Sequence, residues 1–179
     1  MNGPVKIFGH PIHPMLIVFP LGLLGTAVIF DLIAQFTGNQ GLYGVSYWMI
    51  AAGLVGGLLA AIFGFMDWRG IRSNTRAKSV GGYHGLGNLV IVILFALSWW
   101  MRSNDPNRVP DGIAFTLSLL GFGLSLVTGW LGGELVYRLG IAVDKGANEN
   151  APNALTTDES AIPAQSAGRK KQTGGGSGD

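Results

Sequence analysis

Three histidines are the residues of this sequence best suited to bind a metal ion or a haem. Two of them lie in the segment Gly9-His10-Pro11-Ile12-His13-Pro14, and the third is His84. The chain has no cysteine, which excludes disulfides, thiolate nucleophiles, Cys-ligated iron–sulfur clusters and covalent c-type haem attachment. A bound metal or haem would therefore depend on imidazole, carboxylate, thioether or backbone oxygen.

The spacing of neighbouring residues adds to this candidate site. Prolines flank His13 on both sides, and Pro14 suits the first position of a helix, which places His13 near the cap. His84 and Asn88 are four residues apart and share one face of a helix. Ionisable residues in membrane helices are functional candidates because they are costly to place there.

Three interpretations of these residues compete. In the first, two histidines ligate a haem b, one before the first helix and one from the third, with a cofactor-binding set of His10, His13, His84 and Asn88. In the second, the site holds a divalent metal such as zinc or iron, bound by His10, His13, His84, Asp67 and Glu134. The first interpretation requires that His13 and His84 face the interior and converge.

In the third interpretation nothing is bound, and the polar residues only stabilise one end of the protein. Asp67 would then pair with Arg69, and Glu134 with Arg138, which follows it by four residues in the order that favours a helical ion pair. The histidines would cap helices.

The elements that carry these residues are membrane helices. The composition is 48% hydrophobic and 12% charged, whereas soluble domains are about 25% charged. Apolar runs predict helices over about 14–36, 47–67, 83–102 and 112–139, near the roughly 20 residues that a membrane span needs. The predicted fold is therefore an all-α integral membrane bundle of four transmembrane helices in residues 1–144. Residues 145–179 have the composition of a disordered C-terminal tail.

Loop charges predict the orientation. Arg69, Arg72, Arg76 and Lys78 lie between the second and third helices. The positive-inside rule then places both termini in the cytoplasm, in a multi-pass protein of the inner (plasma) membrane. The main partner is the lipid bilayer. The formal charge of +2 gives no general basic surface for nucleic acid.

Small residues predict where the helices approach most closely. Gly53 and Gly57 are four residues apart on the second helix, and Pro20 should kink the first. The fourth helix carries small residues at steps of four, namely Gly121, Ser125, Gly129 and Gly133.

Two motifs resemble a known family. The Gly9–Pro14 segment running into an apolar helix, together with Gly132-Gly133-Glu134-Leu135-Val136-Tyr137-Arg138-Leu139-Gly140, is similar to the uncharacterised bacterial membrane proteins catalogued as domain of unknown function 2231. The resemblance covers residues 6 to 144 and implies a four-helix membrane protein without an established activity. Some relatives are joined to Rieske-type iron–sulfur domains, which implies a link to electron transfer. Without cysteine, this chain could not carry the Rieske cluster itself.

No motif marks a catalytic nucleophile, a phosphate-binding loop or a nucleotide fold, so the sequence favours a role other than enzyme. The leading hypothesis is a haem- or metal-binding subunit associated with membrane electron transfer, with a redox protein or a second copy of the chain as partner. The alternative is a non-catalytic structural or assembly subunit without a cofactor.

Overall fold

The computed structural model describes residues 4–155 and confirms an all-α fold with four helices long and apolar enough to cross a membrane. A short hairpin of β1 (Lys6–Ile7) and β2 (His10–Pro11) precedes the helices. The helices are α1 (Ile12–Leu16), α2 (Val18–Thr37), α3 (Gly41–Gly70), α4 (Arg76–Arg102) and α5 (Gly112–Gly133), the last of which continues as a π-helical turn, Glu134–Arg138. The helices α1 and α2 together form the first span, Ile12–Thr37.

A break at Ile17 separates α1 from α2. Pro20 explains it, because its ring nitrogen cannot donate to the carbonyl of Leu16 and its ring crowds that carbonyl. The helix α1 begins at Ile12 after Pro11, so Pro14 is its third residue rather than its first. The missing N–H of Pro14 still costs little, because the first four N–H groups of a helix have no partner within the helix.

The second and third spans begin earlier than the apolar pattern predicts, at Gly41 and Arg76. The 30 residues of α3 measure about 45 Å, which exceeds the hydrocarbon thickness of about 30 Å. Thr75 caps α4, because its Oγ1 accepts a hydrogen bond from the backbone N–H of Lys78 at 3.2 Å. The added part of α4, residues 76–82, is polar and gives no hydropathy signal, whereas the added part of α3, residues 41–46, contains Leu42, Tyr43 and Val45.

Consecutive spans run in opposite directions, which gives the bundle two ends. The histidine end is where α1 and α4 begin and where α3 and α5 end, and the Asp31 end is the opposite one. The helix α2 packs mainly on α3, and α4 mainly on α5. The molecule is thus built from two helix pairs, which meet through contacts of α3 with α4 and of α2 with α5.

The second helix pair repeats the packing of the first. A Cβ atom added to Gly53 would lie 2.7 Å from Leu24 Cδ2, and one added to Gly121 would lie 2.8 Å from Phe95 Cε2. Phe95 follows Leu24 by 71 positions, and Gly121 follows Gly53 by 68. Both pairs also run in the same direction, so the second pair repeats the first in packing and in orientation.

A hydrogen bond repeats with the same offsets. Ser46 Oγ donates to the carbonyl of Ala27 at 3.0 Å in the first pair, and Ser98 Oγ donates to the carbonyl of Ala114 at 2.7 Å in the second. The donor serine is on the second helix of the first pair and on the first helix of the second pair. The positions in contact are nevertheless equivalent, because Ser98 follows Ala27 by 71 positions and Ala114 follows Ser46 by 68. The repeat is therefore a property of the backbone arrangement rather than of one side-chain type.

The predicted ridge of small residues on the last helix does not continue to its end. Gly121 is buried, but Gly129 is exposed with nothing within 4 Å of an added Cβ, and Gly133 would meet only Tyr137 of its own segment. Four residues of an α-helix turn about 400°, so a ridge at steps of four drifts by about 40° at each step. The contacting face passes instead through Thr128, which is buried, and Gly132.

The residues from Asp144 onwards form a second unit. Its described part, residues 144–155, contains turns but no helix or strand. The rest of the predicted disordered tail, residues 156–179, lies outside the described residues.

Candidate functional site: a histidine pair and a buried ion pair

His13 and His84 lie together at the histidine end. His13 is the second residue of α1, and His84 is on α4. Their ring centroids are 6.4 Å apart and their planes are nearly perpendicular, at 89°. Both side chains are half-buried, whereas His10 lies on β2, exposed and paired in the hairpin with Ile7. The sequence expected three histidines at this end, and the structure brings two of them together.

Backbone carbonyls determine which ring nitrogen carries the proton. The Nδ1 atom of His13 is 2.8 Å from the carbonyl oxygen of Ala60 on α3, and Nδ1 of His84 is 2.9 Å from that of Thr128 on α5. A carbonyl oxygen can only accept, so Nδ1 is the protonated nitrogen in both rings. The lone pair of each imidazole is therefore on Nε2, the nitrogen left for a metal.

A glycine makes room for each ring. A Cβ atom on Gly64 would lie 2.8 Å from His13 Cε1, and one on Gly132 would lie 3.2 Å from His84 Cε1. Each glycine follows the accepting carbonyl by four residues, and the side chain at that position normally covers the preceding turn. Gly132 follows Gly64 by 68 positions, so the two imidazole sites obey the same repeat as the packing contacts. Neither glycine belongs to the site predicted from the sequence, although the offset of 68 positions is a signal that the sequence contains.

Asn88 contacts His84, as their spacing on one helix face predicts. Its Nδ2 donates to the carbonyl of His84 at 2.8 Å and lies 3.1 Å from His84 Nε2. The hydroxyl of Thr128 donates to Asn88 Oδ1 at 3.3 Å. Contacts at both ring nitrogens therefore hold the His84 ring in its orientation.

The carboxylates at this end have other partners than the sequence suggests. Asp67 Oδ1 accepts the backbone N–H of Val5 at 2.9 Å. Glu134 pairs with Arg76 at 2.6 Å rather than with Arg138. This exchange occurs because α4 begins seven residues before its predicted start at 83, which places Arg76 beside the end of α5.

The five predicted metal ligands are consequently not assembled. Within residues 4–155, no three His, Asp or Glu side chains are close enough together to hold a metal ion. Arg69, the predicted partner of Asp67, lies instead over the ring of Phe65 at 6.0 Å.

A second polar centre, absent from the sequence-based site, lies at the Asp31 end. Arg102 binds both carboxylate oxygens of Asp31, at 2.6 and 2.9 Å, and both side chains are fully buried. The remaining N–H groups of the guanidinium donate to the hydroxyls of Ser46, Ser98 and Ser118 at 3.1–3.3 Å. We call these five residues the Asp31–Arg102 cluster.

The Asp31–Arg102 cluster joins all four spans. Asp31 is on α2, Ser46 on α3, Ser98 and Arg102 on α4, and Ser118 on α5. All five guanidinium N–H groups have acceptors, so the cluster is satisfied and closed to solvent. This arrangement suits a structural role. An Asp inside an apolar run was the signal for it, because such a residue is costly unless paired.

Comparison with known proteins identifies a family. The family model described as "Predicted membrane protein (DUF2231)" matches residues 9–145. This range contains both polar centres and excludes most of the C-terminal segment. No curated protein and no solved structure is significantly similar to the chain.

Proposed function

Because the chain belongs to the DUF2231 family, whose description names a membrane protein and no activity, we propose its function from the histidine pair. It would be a haem-binding membrane subunit associated with electron transfer, in which His13 and His84 would hold the haem iron. Asn88 holds the His84 ring only while no haem is bound, because it contacts Nε2, the nitrogen that would bind the iron. His10, exposed on β2, is not a ligand.

The separation of the two rings is the observation that carries this proposal. Imidazole nitrogen binds transition metals at about 2 Å, so two imidazoles on opposite sides of one metal have ring centroids about 6 Å apart. The observed separation is 6.4 Å. In addition, metal-bound histidines usually donate their other ring N–H to a carbonyl or carboxylate, as both rings do here.

The number of ligands favours haem over a simple metal ion. A porphyrin supplies four nitrogens of its own, so the protein needs to add only two axial ligands. A tetrahedral zinc site needs three or four ligands from the protein. Within the described residues, His13 and His84 have no third His, Asp or Glu near enough to complete such a site.

When bound, the haem would supply a one-electron redox centre. The carbonyls of Ala60 and Thr128 would keep both ring orientations and make the ligands more basic. Since this centre lies at one end of the bundle, its electron partner would approach the histidine end. That partner is a redox protein or a second copy of the chain.

The test is an absorption spectrum of the purified protein, oxidised and then reduced with dithionite. We expect a Soret band, and alpha and beta bands that sharpen on reduction. His13→Ala and His84→Ala should each abolish the low-spin spectrum, whereas the matched control His10→Ala should retain it. The perpendicular rings further predict a strongly anisotropic low-spin signal in electron paramagnetic resonance. Protein expressed with ample haem and yet without a Soret band would refute the proposal.

One observation supports the alternative of a structural subunit without a cofactor. Nε2 of His84 already lies at hydrogen-bonding distance from Asn88, and this contact would have to give way to a metal. If the histidines only join helices, His84→Ala lowers the stability and changes no spectrum. Combined measurement of stability and absorbance on one variant therefore separates the two functions.

We also propose the location of this subunit. Four basic residues lie at the histidine end, in or beside the connection between α3 and α4, namely Arg69, Arg72, Arg76 and Lys78. Positive charge favours the cytoplasmic side of the inner membrane, so the histidine end and both termini would be cytoplasmic.

A further inference from the structure

A polar cleft lies at the Asp31 end, where α3 begins beside the connection from α4 to α5. Its volume is about 350 Å³, and its lining includes Gln40, Trp48, Asn107 and Arg108. This is the volume of roughly ten water molecules. We call it the Arg108 cleft.

Contacts on two sides hold the guanidinium of Arg108. Its Nη1 donates to the carbonyl of Ser103, and its Cζ lies 4.7 Å from the centroid of the Tyr47 ring. Tyr47 in turn stacks on Trp99, with ring centroids 5.1 Å apart. Because these contacts restrict the side chain before any ligand arrives, binding costs less conformational entropy.

Arg108 brings a positive charge to the cleft, and Asp105 and Asp111 flank it in the same connection. Arg108 forms no ion pair with any residue between 4 and 155. The nearest carboxylates in the sequence serve the backbone, since Asp105 accepts the N–H groups of Asn107 and Val109, and Asp111 accepts that of Ala114. No Asp or Glu lines the cleft. Its charge and its amide donors therefore suit an anion.

We propose that the Arg108 cleft binds the phosphate group of a membrane phospholipid headgroup. The guanidinium and the amides of Gln40 and Asn107 offer donors that match phosphate oxygens. Trp48 is 69% exposed on the first turns of α3, and tryptophan concentrates at the level of the headgroups. The volume of about 350 Å³ exceeds what a phosphate ion alone needs.

The first experiment counts phospholipids that remain bound after mild detergent extraction, by native mass spectrometry. We expect Arg108→Gln to retain about one phospholipid fewer per chain than the unmodified protein. Arg72→Gln, at an exposed arginine of the histidine end, is the matched control and should retain the full number. Gln40→Leu, which leaves the Tyr47 stack intact, should also reduce retention and serves if Arg108→Gln fails to fold. Equal retention in both cleft variants and the control would overturn the proposal.

The second experiment distinguishes a lipid headgroup from free phosphate. Delipidated protein is titrated with inorganic phosphate and, separately, with phosphatidylglycerol in micelles. Saturable binding of the lipid that depends on Arg108 supports the proposal. Binding of inorganic phosphate alone would retain the anion site and overturn its assignment to lipid.

Discussion

An imidazole can bond to a carbonyl inside a helix only where no side chain covers that carbonyl. His13 meets this condition at Gly64, and His84 meets it at Gly132. A Cβ atom at Gly64 would collide with the His13 ring at 2.8 Å, and one at Gly132 would press on the His84 ring at 3.2 Å, since the side chain four residues later leans over the preceding turn. At the residue scale, the histidine pair therefore requires Gly64 and is favoured by Gly132.

Substitution of Gly64 tests this requirement. Gly64→Ala should displace His13, lose its bond to Ala60, which is worth about 1 kcal/mol, and reduce the haem-to-protein ratio. Gly132→Ala should act in the same direction but less, because its Cβ meets His84 at 3.2 Å rather than 2.8 Å. Gly129→Ala has open space and is the matched control. A Gly64→Ala protein that binds haem and unfolds like the control would contradict the argument.

The Asp31–Arg102 cluster predicts a large loss of stability when one charge is removed. Arg102→Ala leaves Asp31 buried and unpaired, which should lower the free energy of unfolding by about 3–5 kcal/mol. Arg76→Ala removes an ion pair whose arginine is 61% exposed and should cost about 1 kcal/mol or less.

Unfolding in mixed micelles measures both effects. The neutral double variant Asp31→Asn with Arg102→Gln should be less destabilised than Arg102→Ala alone, because it leaves no isolated charge. Equal losses for Arg102→Ala and Arg76→Ala would show that the buried pair contributes no more than a surface one.

At the scale of the elements, glycines set the distance between the two helices of each pair. Gly53 lets α3 approach Leu24 on α2, and Gly121 lets α5 approach Phe95 on α4. Helices in lipid associate through such close packing, because no hydrophobic effect drives them together there. Because a glycine allows this close approach at equivalent positions, the two pairs have a similar geometry. His13 and His84 therefore make equivalent contacts with the second helix of their pair.

Gly53→Ala and Gly121→Ala should therefore have similar effects. Each new methyl group overlaps a packed side chain, at a cost of about 1–3 kcal/mol in unfolding free energy. Gly123→Ala, with nothing within 4 Å, should be neutral or stabilising, since alanine favours a helix over glycine by about 0.5–1 kcal/mol. Thermal denaturation in one detergent compares the three. A stable Gly53→Ala beside an unstable Gly121→Ala would disprove the equivalence of the pairs.

At the scale of the whole molecule, the two polar centres lie at opposite membrane faces. Eighteen positions separate His13 from Asp31, and the same number separates His84 from Arg102. At a rise of 1.5 Å per residue this is about 27 Å, close to the hydrocarbon thickness of about 30 Å. The histidine pair thus lies at one end of the bundle, and the buried ion pair stabilises the other end.

The orientation can be tested cleanly because the chain contains no cysteine. Ser73→Cys lies in the exposed connection at the histidine end, and Asn104→Cys lies in the exposed connection at the Asp31 end. In intact cells freed of the outer membrane barrier, an impermeant maleimide should label Asn104→Cys. Ser73→Cys should react only after the inner membrane is opened. The reverse pattern would place the histidine end outside.

The sequence by itself determined the all-α membrane fold of four spans and the family. Apolar length is a local property, which can be read without knowing any contact. Apolar length could not predict that α4 begins at Arg76, because the polar turns from Arg76 onwards carry no hydropathy signal.

Only the tertiary structure decided which residues meet. Glu134 pairs with Arg76 rather than Arg138, and His10 lies outside the pair of His13 and His84. Arg102 binds Asp31, which precedes it by 71 positions. Each outcome depends on which face of a helix a residue occupies after several turns, and an angle of 40° is enough to change it. The histidine pair exists because two helix pairs with matching contacts pack against each other, and that is a property of the assembled bundle rather than of any segment.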